Sequence, residues 1–108
     1  MIEVRYKKDK GSYEIHLKGH ADYNPGNDIV CAAASNLIYT LAAAVANIHD
    51  TLITTEVMIG KGDTKVKTTI KCEDIRSKVA TMYETILIGY WQLEANYKAN
   101  VRVTIEGE

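Results

Sequence analysis

Residues 28–48 read DIVCAAASNLIYTLAAAVANI, and apolar side chains recur along them at the three- and four-residue spacing of an amphipathic helix. The positions on the predicted core face are Val30, Ala34, Leu37, Leu41, Val45 and Ile48. Asp28 suits the N-cap, because a carboxylate there can accept the unpaired amides of the first turn. The many alanines favour tight packing on the protein's own sheet, or a close backbone approach to a substrate or a second subunit.

Two hairpins and a last strand surround this helix. Apolar and polar residues alternate over residues 2–7 and 12–19, and again over 51–59 and 63–72, with turn residues at 60–62 between the second pair. Asp74 is predicted to cap a second helix that runs to about Tyr97, and residues 100–106 form a last strand. We therefore predict an α+β fold in the order β-β-α-β-β-α-β, with an antiparallel or mixed sheet and both helices on one face. Residues 1–108 form one domain in this interpretation.

Composition narrows the classes of partner. The chain has 108 residues and a formal net charge of −1, which argues against strong nucleic acid binding. The longest apolar run, residues 29–34, is too short to span a bilayer, and the first residues alternate like a strand rather than a signal peptide. We therefore expect a cytoplasmic protein without a membrane partner. No cofactor is expected, and the histidines and cysteines lack the spacing of a metal site.

His20 and Cys31 stand on either side of a short polar loop. Cys31 falls in the first turn of the predicted helix, where free amides and the helix dipole favour a thiolate. Taken singly, each residue has an ordinary interpretation, a buried cysteine and a loop histidine. Together they can form a nucleophile and its base, because the loop contains Gly26 and is short enough to fold back. The amides near Cys31 would then serve as oxyanion donors.

The same residues carry a family resemblance. Gly-His-Ala at 19–21, followed by Asp-Ile-Val-Cys-Ala-Ala-x-Ser-x-Leu at 28–37, resembles the signature of the ribosomal-processing cysteine protease (Prp) family. Residues 89–97 resemble that family's second helix more weakly. The resemblance implies that Cys31 is the nucleophile and His20 its base. By the same matching of positions, Asp28 and Ser35 are supporting residues.

A substrate loop and a substrate follow from the resemblance. Loop 20–27, with Ala21, Asp22, Tyr23 and Gly26, would order over a bound peptide and bring His20 into place, so His20 and Cys31 could lie apart without substrate. The expected partner is a protein with an N-terminal extension, namely large-subunit ribosomal protein twenty-seven. A prophage-associated relative acting on a capsid or scaffold protein, and a non-catalytic peptide-binding homologue, remain as alternatives. The resemblance also implies a homodimer.

Overall fold

The computed structural model describes residues 1–49 and 51–107. Its elements in chain order are β1 (Ile2–Lys8), β2 (Ser12–Lys18), α1 (Ile29–Ala46), β3 (Ile53–Gly60), β4 (Asp63–Ile70), a short 3₁₀ helix (Glu73–Ile75), α2 (Arg76–Asn96) and β5 (Val101–Gly107). This order and the division into one sheet and two long helices confirm the predicted α+β class.

The five strands form one mixed sheet in the order β3-β4-β2-β1-β5. Neighbouring strands are antiparallel except for β1 and β5, which run parallel. The parallel pair arises because α2 carries the chain back along the sheet before β5 begins. β3 and β5 are therefore the two edges, and β2 lies at the centre.

One face of the sheet carries the core. Alternate side chains of the central strands are buried: Ile2, Val4, Tyr6, Tyr13, Ile15, Leu17, Val66 and Thr68. The same period places lysines such as Lys65 and Lys67 on the opposite face. Both helices cover the buried face. Within the described residues the opposite face has no covering element, as is common in sheets that are largely antiparallel.

Helix α1 packs closely against α2. Its buried positions are Val30, Ala34, Ile38, Leu41 and Val45. Opposite α1, a Cβ at Gly89 would lie 2.6 Å from Cδ2 of Leu37, so a larger residue at position 89 would displace the Leu37 side chain. Among the alanines of α1, Ala34 is buried whereas Ala32, Ala43 and Ala46 are exposed, so the alanine-rich composition does not decide between its two interpretations.

The start of α2 differs from the sequence prediction, and Asp74 is not its N-cap. The amide of Ile75 donates to the carbonyl of Cys72, which places Asp74 inside a 3₁₀ turn. The helix proper begins at Arg76, and Ile75 in the capping position makes no side-chain hydrogen bond. A second difference is at Trp91: helical spacing along the second helix predicts a core position there, whereas the side chain is 42% exposed.

Several element ends also differ by a few residues. β3 begins at Ile53 rather than at residue 51, and β4 ends at Ile70 rather than at 72. The amide of Lys71 already donates to the carbonyl of Leu52 outside the ladder, which marks the end of the regular pairing. Such shifts are expected where strands fray into loops.

Helix α1 is long and apolar enough to cross a membrane by length and composition alone. The sequence argument that the apolar run is too short is therefore wrong, because Ser35, Asn36 and Thr40 interrupt the run without adding charge. One face of α1 is buried against the sheet and α2, as in the core helix of a globular protein. Core helices pass the same test of length and hydropathy.

Candidate active site

His20 stands at the point where β2 ends. Gly19 before it has φ +97°, and a Cβ there would lie 2.4 Å from the carbonyl oxygen of Met1, so only glycine fits. The amide of Gly19 donates to the carbonyl of Gly62 over 2.9 Å, which joins the end of β2 to the β3–β4 turn. The exposed imidazole of His20 consequently lies against Gly62.

Cys31 lies in the first turn of α1, which Asp28 caps as predicted. The Oδ1 atom of Asp28 accepts the amides of Val30 and Cys31, each over 3.0 Å. The backbone oxygen of Asp28 accepts the amide of Ala32. These bonds fix the direction in which the Cys31 side chain leaves the helix.

The second carboxylate oxygen of Asp28 holds the preceding loop. Oδ2 accepts the amides of Tyr23 over 2.9 Å and Asn24 over 3.2 Å. Desolvation raises the pKa of Asp28, but the hydrogen bonds from Cys31, Asn24, Tyr23 and Val30 outweigh it and lower the pKa below its ordinary value. One ionised carboxylate therefore ties the loop to the helix start.

The sulfur of Cys31 also contacts the loop. The amide of Ala21 donates to Sγ over 3.3 Å, so the sulfur has a backbone hydrogen-bond donor from the loop. Ala21 is fully buried, and its carbonyl accepts a hydrogen bond from Nδ2 of Asn100 over 2.8 Å. The thiol thus accepts a hydrogen bond from Ala21, and Asn100, the residue before β5, holds Ala21 in place.

His20 and Cys31 face shared cavities without being hydrogen-bonded to each other. Both line a cavity of about 170 Å³, together with Ser35. A second cavity, of about 380 Å³, lies between the two residues and the loop at Gly26. Across the described residues 1–49 and 51–107, no hydrogen bond joins the His20 ring to the Cys31 sulfur. The ring lies against Gly62 instead.

The expected oxyanion donors are not free. The amides of Val30, Cys31 and Ala32 all donate to Asp28, through its side chain or its backbone oxygen. In this conformation they cannot also bind a developing oxyanion. The sequence argument was wrong here, because the capping residue that defines the helix start uses the same amides.

The remaining predicted positions are placed as follows. Ser35 follows Cys31 by one turn and lines the same cavity. Asp22 has φ 56°, a left-handed backbone conformation, and lines the second cavity. The Tyr23 ring packs edge-on against Tyr97, with 5.2 Å between centroids. Asp22 and Gly26 thus share a cavity with Cys31, whereas Tyr23 lies against α2's C-cap residue outside both cavities.

The other histidines are engaged elsewhere. The ring of His16 donates to Asp63 over 2.5 Å, and this bond, with the histidine's charge, holds the pKa of Asp63 below its ordinary value. The ring of His49 is hydrogen-bonded to Thr51. In the part of the chain that the structure describes, no group of three or more His, Cys, Asp and Glu residues could hold a metal ion.

Sequence reasoning missed two neighbours of the site, Gly62 and Asn100. Each is distant from the motif along the chain and comes close only through the sheet order, which puts β4 and β1 on either side of β2. A glycine in a hairpin turn and an asparagine before a strand are common turn residues. No local signal therefore marked either as part of the site.

Comparison with solved structures gives close matches to the whole chain. A crystal structure of an essential ribosomal processing protease Prp from S. aureus, with a covalently linked product peptide, has a TM-score of 0.81 at 22% identity, covering 98% of this chain and 100% of that one. SMU.848 from Streptococcus mutans has a TM-score of 0.74 at 29% identity, covering 100% of this chain and 99% of that one. The S. aureus Prp with a substrate peptide also has a TM-score of 0.74, at 22% identity and with the same coverage as the first.

No curated protein matches the chain. The family model described as cysteine protease Prp matches residues 1–102, which include loop 20–27, both long helices and every strand before β5. Since that match spans nearly the entire sequence, and the fold and thiol environment agree with it, the chain belongs to the Prp family of cysteine proteases.

Proposed function

We propose that this chain is a cysteine endopeptidase that removes the N-terminal extension of large-subunit ribosomal protein twenty-seven, with Cys31 as nucleophile and His20 as general base. The observation that carries the proposal is the shared cavity onto which both side chains open. The S. aureus Prp solved with product and substrate peptides supports a protein substrate. Asp28 and Ser35 act as supporting residues beside the thiol.

The chemistry follows the usual course of acyl transfer by a thiol. His20 takes the proton of Cys31, and the thiolate attacks the scissile carbonyl carbon to form a tetrahedral intermediate. The imidazolium of His20 then protonates the leaving amine as the C–N bond breaks, which leaves a thioester on Cys31. Water, deprotonated by His20, hydrolyses the thioester and restores the free thiol.

Loop 20–27 supplies the movement that the mechanism needs. Its contacts with Asp28 and Tyr97 are surface contacts, whereas the Ala21 contacts with Cys31 and Asn100 are partly buried. We therefore expect the loop to bend around Ala21 when a peptide enters. Its Asp22, Tyr23 and Gly26 would then order over the substrate, and His20 would approach the sulfur.

We further propose that the protein acts as a homodimer in the cytoplasm. Edge strand β3 exposes Val57, Met58 and Ile59, and an apolar edge of this kind favours pairing with another chain. Size-exclusion chromatography with light scattering measures the state directly. A mass of 12.0 kDa at micromolar concentration would contradict the dimer.

The deciding experiment uses the purified chain and ribosomal protein twenty-seven with its extension from the same organism. Cys31→Ala and His20→Ala should abolish cleavage, whereas Cys72→Ala is the matched control and should cleave like the unmodified protein. Cys72 suits this purpose because it is a free thiol at the 3₁₀ turn, outside the cavities that His20 lines. Cleavage by Cys31→Ala at the normal rate would overturn the proposal.

Two further arms separate the alternatives. Cleavage of a phage capsid or scaffold precursor, with the ribosomal protein left intact, would favour the prophage-associated role. Iodoacetamide distinguishes a binder from an enzyme, because a catalytic thiol reacts faster than a free thiol and slows when its base is removed. A non-catalytic homologue would be indicated if Cys31 is alkylated at the rate of a free thiol and the rate does not change in His20→Ala.

A further inference from the structure

The His20 ring packs against Gly62, which has no side chain to keep the ring away. A Cβ built on Gly62 would lie 2.9 Å from Nε2, 3.2 Å from Cε1 and 3.5 Å from Cδ2 of His20. The edge of the imidazole that carries Nε2 therefore points at the α-carbon of Gly62. A Cβ at position 62 would come closer to Nε2 than Cβ atoms ordinarily do, so the ring would have to shift from its present place.

The turn that carries Gly62 is fixed relative to His20 by a backbone contact. The amide of Gly19, the residue before His20, donates to the carbonyl of Gly62 over 2.9 Å. This bond sets the distance between the turn and the backbone of the histidine. The backbone of His20 and the turn at Gly62 are thus held next to each other.

A side-chain contact holds the same turn from the other face of the sheet. Asp63 follows Gly62 at the start of β4, and its Oδ1 accepts the ring nitrogen of His16 from β2 over 2.5 Å. Lys18 pairs with Asp63 in the strand register. Position 62 is therefore anchored on both sides, by the hydrogen bond from the Gly19 amide to its carbonyl and by the hydrogen bond between His16 and the neighbouring Asp63.

Glycine at position 62 meets two separate demands. Its φ is +70°, where glycine is free of strain and asparagine is tolerated, whereas alanine is disfavoured. Its missing Cβ leaves room for the His20 ring. The first demand concerns the turn and the second concerns only the histidine, so different substitutions can separate them.

From these contacts we infer that Gly62 is a positioning residue for the proposed base, and that its bare α-carbon sets where the His20 imidazole stands relative to Cys31. The inference rests on the proposed role of His20. Gly62 itself touches no reacting atom in the mechanism. Its effect passes through the ring, so it should change the turnover rate and leave peptide affinity nearly unchanged.

The test compares Gly62→Asn with Gly62→Ala and with Gly11→Ala as control. Asparagine keeps the left-handed backbone yet places a Cβ against His20, whereas alanine changes both. Gly11 lies in the β1–β2 turn, and a Cβ there would meet nothing within 4 Å. Steady-state cleavage, thermal unfolding, and NMR of the three ring-labelled histidines are measured for each variant, with His20→Ala to assign the signals.

Both Gly62 variants should lower kcat by about ten- to a hundredfold with KM within about twofold, since small misplacements of a catalytic group are costly. The His20 ring signals should shift while those of His49 stay unchanged, and Gly11→Ala should match the unmodified protein. Should Gly62→Ala fail to fold, Gly62→Asn decides alone. Normal kcat and unshifted His20 signals in Gly62→Asn would overturn the inference.

Failure of the proposed function has a different signature. If His20→Ala cleaves like the unmodified protein, His20 is not the base, and the inference falls with it. If His20→Ala is inactive and Gly62→Asn is fully active, the mechanism stands and only the role of Gly62 is wrong. The two results are read from the same set of variants and the same cleavage assay.

Discussion

The backbone amide of Ala21 donates a hydrogen bond to the sulfur of Cys31 across 3.3 Å. The residue that follows the proposed base is therefore bonded directly to the proposed nucleophile. A loop movement that brings His20 closer to the thiol must either preserve this hydrogen bond, by turning about Ala21, or break it. The contact therefore limits the path by which the loop can close.

Asp28→Asn should impair activity more than it impairs helix capping. The amide oxygen of asparagine can still accept the Val30 and Cys31 amides, but its NH₂ group cannot accept those of Tyr23 and Asn24. The loop then loses its attachment to α1, and kcat/KM should fall about tenfold. Peptide cleavage measures this effect, and thermal unfolding of Asp28→Ala shows the added loss of the cap. Normal kcat/KM in Asp28→Asn would contradict the loop's dependence on Oδ2.

The Asp28 carboxylate should also make stability depend on pH on the acid side. Its pKa is lowered in the folded protein, because four backbone hydrogen bonds outweigh desolvation. The stabilisation is thus complete above the unfolded value of about 4 and is lost as the pH falls through the lower folded value. The gap in urea midpoint between the unmodified protein and Asp28→Asn should narrow from pH 6 to pH 3. Other carboxylates titrate in both proteins and cancel, so a constant gap would refute the prediction.

Asn100→Ala should loosen the loop from the opposite side. Nδ2 of Asn100 donates to the carbonyl of the buried Ala21, and the loss of a donor to a buried carbonyl costs about 1–3 kcal/mol. Cleavage should weaken in parallel, since Ala21 contacts the thiol. Asn96→Ala is the matched control, because Asn96 makes the same kind of bond to Gln92 on the exposed surface of α2. Equal unfolding free energies for the two variants would count against a special role for Asn100.

Loss of the hydroxyl should lower the free energy of unfolding at one buried tyrosine, Tyr90, and not at another, Tyr6. Tyr90 donates to the carbonyl of Ala34 over 2.7 Å, so Tyr90→Phe should lower the free energy of unfolding by about 1 kcal/mol. The Tyr6 hydroxyl is buried without a hydrogen-bond partner in the described part of the chain, and burial raises the pKa of Tyr6 to about 12. Tyr6→Phe should therefore be neutral or stabilising. Urea unfolding at pH 7 compares them, and a loss for Tyr6→Phe as large as for Tyr90→Phe would contradict the argument.

Much of the fold could be predicted because its signals are local. Period-two alternation marked β1, β2, β3 and β4, and helical spacing with Asp28 before it marked α1. The start of α2 was missed because Asp74 looks like a capping residue, whereas the 3₁₀ turn at Glu73–Ile75 depends on how the chain leaves β4. Trp91 was misplaced because its neighbour Tyr90 is the residue buried at that turn, and helical spacing could not tell which of the two adjacent aromatic side chains faces the core.

The candidate site divides in the same way. Cys31 and its cap lie within four residues of each other, so backbone geometry fixes their relation without the rest of the chain. The supports around His20 and Ala21 come from Gly62 and Asn100, which are more than forty residues away in sequence. Asp28 uses the amides that the sequence argument assigned to the oxyanion, and this competition is also local, because the cap and the amides belong to the same turn.

The sequence by itself determined the elements, the capped helix start and the residue types needed for thiol chemistry, because hydrophobic period and capping act over a few residues. The tertiary structure alone decided that β4 and β1 flank β2, that Gly62 supports the His20 ring, and that Asn100 holds Ala21 beside the sulfur. The physical reason is that sheet order joins segments through backbone hydrogen bonds and core packing, which leave no mark in the local spacing of residues.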